Sequence, residues 1–165
     1  MEHGRDPRDD VHDDCGDAVN ARVVVGIDGS DTSWDAFCWA CGEMRRLGGR
    51  TVAVFVGPTP GGASAAATAS LTGAGVAYGV IQQTMSDQAG ELADQVCAYG
   101  DEHGVDVTFV TTHGDTVREL LRIAHADRAD LLVVGRSTKA RHHLAGSLGR
   151  RLVGKRGAPI IVVVP

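Results

Sequence analysis

The sequence predicts an α/β fold with a parallel β-sheet and helices on both of its faces. Five short runs of Val, Ile, Leu and Ala alternate along the chain with segments whose apolar residues recur at helical spacing. Most of the runs are apolar throughout, which is typical of strands covered on both faces. Strict alternation of strands and helices favours parallel strands joined by helical crossovers. The 165 residues suffice for one domain with its own core.

The first part of the chain predicts two strands and the helix between them. Residues 22–28 form an apolar run that ends in Gly and Asp, and residues 51–56 form a second run. Between them, Ser30 and Asp31 offer N-cap chemistry for a helix that begins near residue 31. Gly48 and Gly49 end this helix. Its apolar face consists of Trp34, Phe37, Cys38, Cys41 and Met44.

The middle of the chain predicts a connection, a helix and a strand. Residues 58–79 are rich in Gly, Ala, Ser and Thr without clear periodicity, which indicates a flexible connection. Helical spacing begins at Val80 and ends at Gly104. Residues 105–111 are the third strand, and 113–116 are a turn and helix cap in which His113 is a turn residue.

The last part predicts two further helices and two further strands. A stripe of apolar residues predicts a helix after the cap, residues 131–134 are the fourth strand, and residues 160–164 are the fifth. Between those strands lie the loop 135–147 and a short helix, with Leu148, Leu152 and Val153 expected to face inward. The stripe consists of Val117, Leu120, Leu121 and Ala124.

Charge is distributed unevenly. Residues 1–20 hold seven acidic and two basic residues, so they carry the net charge of -5 that the whole chain has. We expect residues 1–20 to be a disordered acidic tail and residues 21–165 to be the folded domain. No acidic residue follows position 135, and one hypothesis is that the tail folds over the basic loop and competes with an anionic ligand. The basic residues there are Arg136, Lys139, Arg141, Arg150, Arg151, Lys155 and Arg156.

The expected compartment is the cytoplasm. No apolar stretch approaches the roughly 20 residues that span a bilayer, so no membrane association is predicted. The first residues are polar and acidic, unlike a secretory signal. Cysteines are then reduced. Cys38 and Cys41 have the spacing of a redox pair, but Cys38 lies about two turns into its helix, so we interpret both as buried apolar residues.

The loop 135–147 is a candidate phosphate-binding segment. Gly135 ends a buried strand, Gly146 and Ser147 open a helix, and the cations between them suit an anion at a helix N-terminus. In the alternative interpretation Ser147 only caps the helix and the cations are solvated. The loop lacks the Gly-Lys-Ser/Thr ending of a Walker motif.

Asp28 is a candidate binding residue at the end of the first strand. It would either accept hydrogen bonds from backbone N–H groups of the turn or accept one from a ligand hydroxyl or amine. A phosphoryl-accepting receiver domain is excluded, because the paired acids and the Lys that it needs are missing. The adjacent His142 and His143 would not share a helix face, so no metal site is predicted.

Three segments together resemble the universal stress protein family. They read VVVGIDGSDTSWDAFCWA, GDTVRELLRIAHADRADLLVVG and GSLGRRLVGKRGAPIIVVVP, and the resemblance extends over residues 22–165. It implies a Rossmann-like sheet of the adenine nucleotide alpha-hydrolase-like type, with five parallel strands in the order 3-2-1-4-5. It also implies a homodimer paired through the C-terminal strand, which would cover an apolar sheet edge.

The resemblance further implies a site for ATP, with Mg²⁺ accompanying it. The family loop has the form G-x2-G-x9-G-[S/T]; Gly135, Gly146 and Ser147 match it, whereas Thr138 replaces the middle Gly. The loop is also two residues shorter than the pattern. By the same resemblance Asp28 contacts the nucleoside, Gly26 lines the pocket and Val56 lies near the adenine.

The function that follows is a stress-response protein that binds ATP or AMP and acts as a dimeric sensor or adaptor. The alternative is a dimeric protein-interaction module of the same fold that binds no nucleotide. Nucleic-acid binding by the Arg cluster is disfavoured, since the chain is acidic and only 4% aromatic. No nucleophile has an evident base and no carboxylate pair is placed for acid–base work, so nothing supports more than weak ATP hydrolysis. The sequence identifies no protein partner.

Overall fold

The computed structural model describes residues 21–59, 75–136, 148–153, 155 and 157–165. The predicted tail 1–20 and the loop residues 137–147 lie outside the described residues.

Five parallel strands form one sheet in the order β3-β2-β1-β4-β5, as predicted. Gly26 at the end of β1 is paired with Val54 on one side and with Val134 on the other. β2 and β3 continue together to the pair Gly57–His113. The strands are β1 (Arg22–Gly26), β2 (Arg50–Gly57), β3 (Asp106–His113), β4 (Leu131–Gly135) and β5 (Ile160–Val164).

In the part of the chain that the structure describes, four helices connect the strands. Their bounds are Asp31–Leu47 for α1, Gly75–His103 for α2, Thr116–Ala126 for α3 and Leu148–Val153 for α4. Ser30 caps α1, because its hydroxyl accepts a hydrogen bond from the backbone N–H of Ser33. Gly48 ends α1 with a positive φ of 67°, a conformation that glycine adopts without strain.

The core has two layers, one on each face of the sheet. One layer packs α1 and α2 on the sheet through side chains such as Phe37, Met44 and Val96. The other packs α3 and α4 on the opposite face through Leu120 and Leu152. Successive residues of β1 alternate between the two layers, so the strand is buried on both sides, as its apolar run predicts.

Three local predictions were wrong. α2 begins at Gly75 rather than Val80, since extending an existing helix adds one hydrogen bond for each residue that is fixed. His113 is the last residue of β3, because β2 continues beside it. Val153, which was expected to face inward, is 67% exposed. The six-residue helix α4 buries Gly149 and Leu152 instead.

Among the residues that the structure describes, no helix is long and apolar enough to cross a bilayer.

Candidate functional site

A cavity of about 390 Å³ opens at the carboxyl ends of β1, β2 and β4. β1 and β4 are neighbours in the sheet, although β2 and β3 lie between them in the sequence. Such a switch in strand order leaves a crevice, because the connections on its two sides run to opposite faces of the sheet. The topology therefore places a cavity here whatever side chains line it.

Gly26 and Gly135 end the adjacent inner strands β1 and β4, and both line this cavity. A Cβ on Gly135 would lie 2.2 Å from the carbonyl oxygen of Thr32, in the first turn of α1. A Cβ on Gly26 would lie 3.3 Å from Cδ1 of Leu120. Glycine at position 135 thus allows α1 to begin directly against the end of β4, and the helix N-terminus forms a wall of the cavity.

The turn from β1 to α1 is fixed by a small hydrogen-bond network. The Asp28 carboxylate oxygen Oδ1 accepts from the backbone N–H of Ser30 at 3.0 Å and from its hydroxyl at 2.6 Å. The Ser33 hydroxyl donates to the Ser30 carbonyl at 2.8 Å. Gln88 from α2 donates to the Asp28 carbonyl at 3.3 Å. Asp28 therefore accepts hydrogen bonds within the turn, which was one of its two predicted roles, and it also lines the cavity.

The opposite wall comes from α3 and α4. Thr116, the first residue of α3, and Arg151 of α4 both line the cavity. Arg151 Nη2 lies 2.8 Å from Oδ2 of Asp115, which caps α3 by accepting from the backbone N–H of Arg118 at 3.0 Å. The hydrogen bond from Arg118 and then the Arg151 guanidinium hold the pKa of the Asp115 carboxyl below its ordinary value.

The cavity thus joins an apolar part to an electropositive part. Val54, Val56 and Leu120 supply apolar surface next to the sheet. On one wall the N-terminus of α3 and the Arg151 guanidinium, which is paired with Asp115, supply positive potential, and on the facing wall the N-terminus of α1 does so. A molecule with an apolar ring and an anionic group matches this division.

The structure brings four of the predicted site residues together. Gly26, Asp28, Val56 and Gly135 all line the cavity, although they come from three strand ends. Thr138, Gly146 and Ser147 lie outside the described residues. That these seven residues bind a ligand stays a prediction.

Thr116 and Arg151 were not among the predicted site residues. Thr116 belongs to the segment 113–116 that was predicted as a turn and helix cap, and Arg151 belongs to the basic cluster that follows β4; the placement of α3 and α4 brings both to the cavity.

The Cys38–Cys41 pair lies away from this cavity, and Cys41 is 1% exposed. Burial raises the pKa of the Cys41 thiol to about 11, whereas a redox thiol needs a lowered pKa. Within the described ranges, no group of three His, Cys, Asp or Glu side chains is placed to hold a metal ion.

Comparison with known proteins gives a consistent set of relatives. A model of the universal stress protein family matches residues 20–164. A universal stress protein of Methanocaldococcus jannaschii is 23% identical over 150 residues, which are 90% of this chain and 84% of that protein.

Solved structures of low sequence identity share the fold. A universal stress protein in complex with cAMP has a TM-score of 0.61 and 22% identity, over 88% of this chain and 96% of that one. A universal stress protein from Archaeoglobus fulgidus in complex with dAMP has a TM-score of 0.62 and 18% identity, over 88% and 98% of the two chains.

Proposed function

Because the chain belongs to the universal stress protein family, whose model matches residues 20–164, we propose that its cavity binds an adenine nucleotide. The binding would serve a stress-response sensor or adaptor. The observation that carries the proposal is the meeting of Gly26, Asp28, Val56 and Gly135 at one cavity of about 390 Å³. This volume is within the range of roughly 300–1,000 Å³ that small-molecule sites have. The structural relatives bound to cAMP and dAMP support the ligand class.

The division of the cavity suggests how the nucleotide lies. Val56 and Leu120 offer apolar contact to the base, and the Asp28 carboxylate can accept a further hydrogen bond from a ribose hydroxyl. The phosphate then lies toward Arg151 and the first turn of α3, where the guanidinium and the backbone N–H groups stabilise negative charge. AMP is the smallest nucleotide that would make all three contacts, through its base, its ribose and its phosphate.

ATP with Mg²⁺ is the ligand that the family resemblance implies, and it extends the same proposal. The additional phosphates would need cations beyond Arg151, and Lys139 and Arg141 of the loop are the residues that the sequence offers. Comparing AMP with ATP, each with and without Mg²⁺, therefore measures what the loop contributes.

Calorimetric titration of the full chain with AMP tests the proposal. We expect saturable binding, and we expect Asp28→Asn to weaken it by about tenfold or more, since hydrogen bonds to a charged acceptor contribute roughly 1.5–3 kcal/mol. Asn keeps an oxygen for the Ser30 hydrogen bonds, so the turn survives. Asp35→Asn is the matched control, because Asp35 is exposed on α1 and does not line the cavity. Equal loss in both variants would contradict the assigned role of Asp28.

The second candidate function is a dimeric interaction module that binds no nucleotide. The exposed apolar edge of β5, where Ile160 is 68% and Val163 is 45% exposed, favours an interaction role. Absence of AMP and ATP binding together with a stable dimer would favour this function over the first.

A further inference from the structure

A second concavity, of about 590 Å³, lies on the outer surface of α3 and α4. We call it the basic groove. Val117 and Leu121 contribute apolar surface to it. Its charged and polar lining consists of Asp115, Arg118, Arg122, His125, Arg151 and Lys155.

The basic groove keeps an excess of positive charge after its ion pairs are counted. Arg122 is paired with Glu119 at 2.8 Å, and Arg151 is paired with Asp115 at 2.8 Å. Arg118 and Lys155 are exposed, and neither forms an ion pair with another residue of the described part of the chain. The groove therefore presents two unneutralised cations next to apolar surface, a combination that suits an acidic segment.

The N-terminal segment joins the fold at one end of this groove. The backbone N–H of Arg22 donates to the Asp130 carboxylate at 2.9 Å, and its guanidinium donates to the Asp127 carbonyl at 2.9 Å. Asp127 directly follows α3 and is two residues beyond His125, which lines the groove. Ala21 therefore lies close to the C-terminal end of α3.

The segment has the length and charge to follow the groove. Residues 1–20 hold seven acidic and two basic residues. An extended chain spans about 3.3 Å per residue, so even half of the segment exceeds the roughly 16 Å length of the 11-residue α3. The charge of residues 1–20 is opposite to that of the basic groove, the segment joins the fold at one end of the groove, and it is long enough to follow it. All three observations favour residues 1–20 as the occupant of the groove.

We propose that residues 1–20 dock in the basic groove of their own chain, with their carboxylates against Arg118 and Lys155. Arg151 lines both the groove and the cavity. A docked acidic segment would therefore lower the positive potential at one wall of the cavity and weaken the binding of an anion there. This last consequence, unlike the docking itself, rests on the proposed function.

Amide NMR spectra of the full chain test the docking without any ligand. The comparison variant carries Asp9→Asn, Asp10→Asn, Asp13→Asn and Asp14→Asn, which removes negative charge from residues 1–20 and changes no residue of the groove. We expect amide signals of α3 and Lys155 to shift between the two proteins at low salt. The shifts should vanish at about 1 M NaCl, where the Debye length is about 3 Å.

Substitutions in the basic groove provide the second test of the docking. In a chain with Arg118→Gln and Lys155→Gln, neutralising the segment should no longer move the α3 signals. Arg45→Gln, an exposed cation at the end of α1, is the control and should leave the difference intact. Shifts confined to residues 1–22, or spread equally over α1 and α3, would overturn the proposal. Shifts that disappear on dilution would also overturn it, since they would report docking on a second copy.

Discussion

Gly135 decides how closely β4 and α1 approach each other. The resemblance to the family assigns this glycine to the ATP loop, whereas the structure gives it a packing role at the first turn of α1. The neighbouring atoms are the Thr32 carbonyl and the Ser33 backbone nitrogen. Because these atoms belong to the helix backbone, no rotamer change can make room for a side chain.

Gly135→Ala should destabilise the fold by about 1–3 kcal/mol, since overpacking against backbone forces the helix to shift. Urea unfolding at equilibrium measures the change. Gly42→Ala is the matched control: Gly42 lies in α1 with nothing within 4 Å of its added Cβ, so this substitution should stabilise the chain by about 0.5–1 kcal/mol. A Gly135→Ala chain as stable as the wild type would show that α1 is not held where the structure places it.

Individual site residues could be predicted from the sequence only where the chain order reveals them. Asp28, Val56 and Gly135 lie at the ends of apolar runs, so their common edge of the sheet follows from the parallel topology, whereas Gly26 was expected there only from the family resemblance. Arg151 lies well after the last of these runs, and its entry into the cavity depends on the placement of α4. The contact of Gly135 with Thr32 could not be predicted either, because it joins residues about a hundred positions apart.

The N-terminus of α3 is an element whose stability depends on pH. Asp115 caps the helix and is paired with Arg151, and both interactions lower the pKa of its carboxyl. A lowered pKa in the folded state means that the charged carboxylate stabilises the fold above the ordinary value near 3.8. That contribution is lost as the pH falls through the lower, folded-state pKa.

Asp115→Asn should therefore lower stability at neutral pH and change little in strong acid. Asn still caps the helix, so the variant isolates the charge. Urea midpoints measured from neutral pH down to below the folded-state pKa provide the comparison. Glu119, whose pKa is lowered by Arg122 and then by Thr112, is present in both chains and cancels. A difference that stays constant over the whole pH range would exclude the carboxylate charge as its cause.

For the strands and helices, their existence and their order along the chain could be predicted better than the residues at which they begin and the faces that they bury. The apolar runs correctly identify all the strands of the described sheet, since parallel strands covered on both faces carry this pattern. The start of α2 was missed because Gly75 and Gly79 resemble a connection. The direction of Val153 was missed because α4 has six residues, too few for its periodicity to identify a face.

For the whole molecule, β5 is the edge strand at which a second copy of the chain could pair with the sheet. The Ile160 N–H donates to the Asp130 carbonyl and the Val164 carbonyl accepts from Arg136, so the backbone groups of these residues point toward β4. Backbone groups alternate in direction along a strand, so those of Ile161 and Val163 point to the open edge. We propose that a second copy pairs there, as the resemblance implies.

Val163→Pro should convert the proposed dimer to a monomer, because proline removes an N–H from the open edge and leaves the β4–β5 hydrogen bonds in place. Size-exclusion chromatography with light scattering measures the mass. Val153→Thr, which removes exposed apolar surface from α4, is the control and should remain dimeric. A Val163→Pro dimer with unchanged circular dichroism would place the interface elsewhere, and a monomeric wild type would remove the dimer from the proposed function.

The floor of the cavity includes the ends of β1 and β4, adjacent inner strands of the sheet, whose residues Val24, Val25, Leu132 and Val133 are fully buried. We expect amides in such strands to exchange with solvent only when the whole domain opens, in contrast to amides of loops and chain ends. The cavity floor is therefore expected to persist for as long as the native state itself. A ligand that binds there binds only the native state. The free energy of global unfolding would therefore rise with the concentration of the ligand.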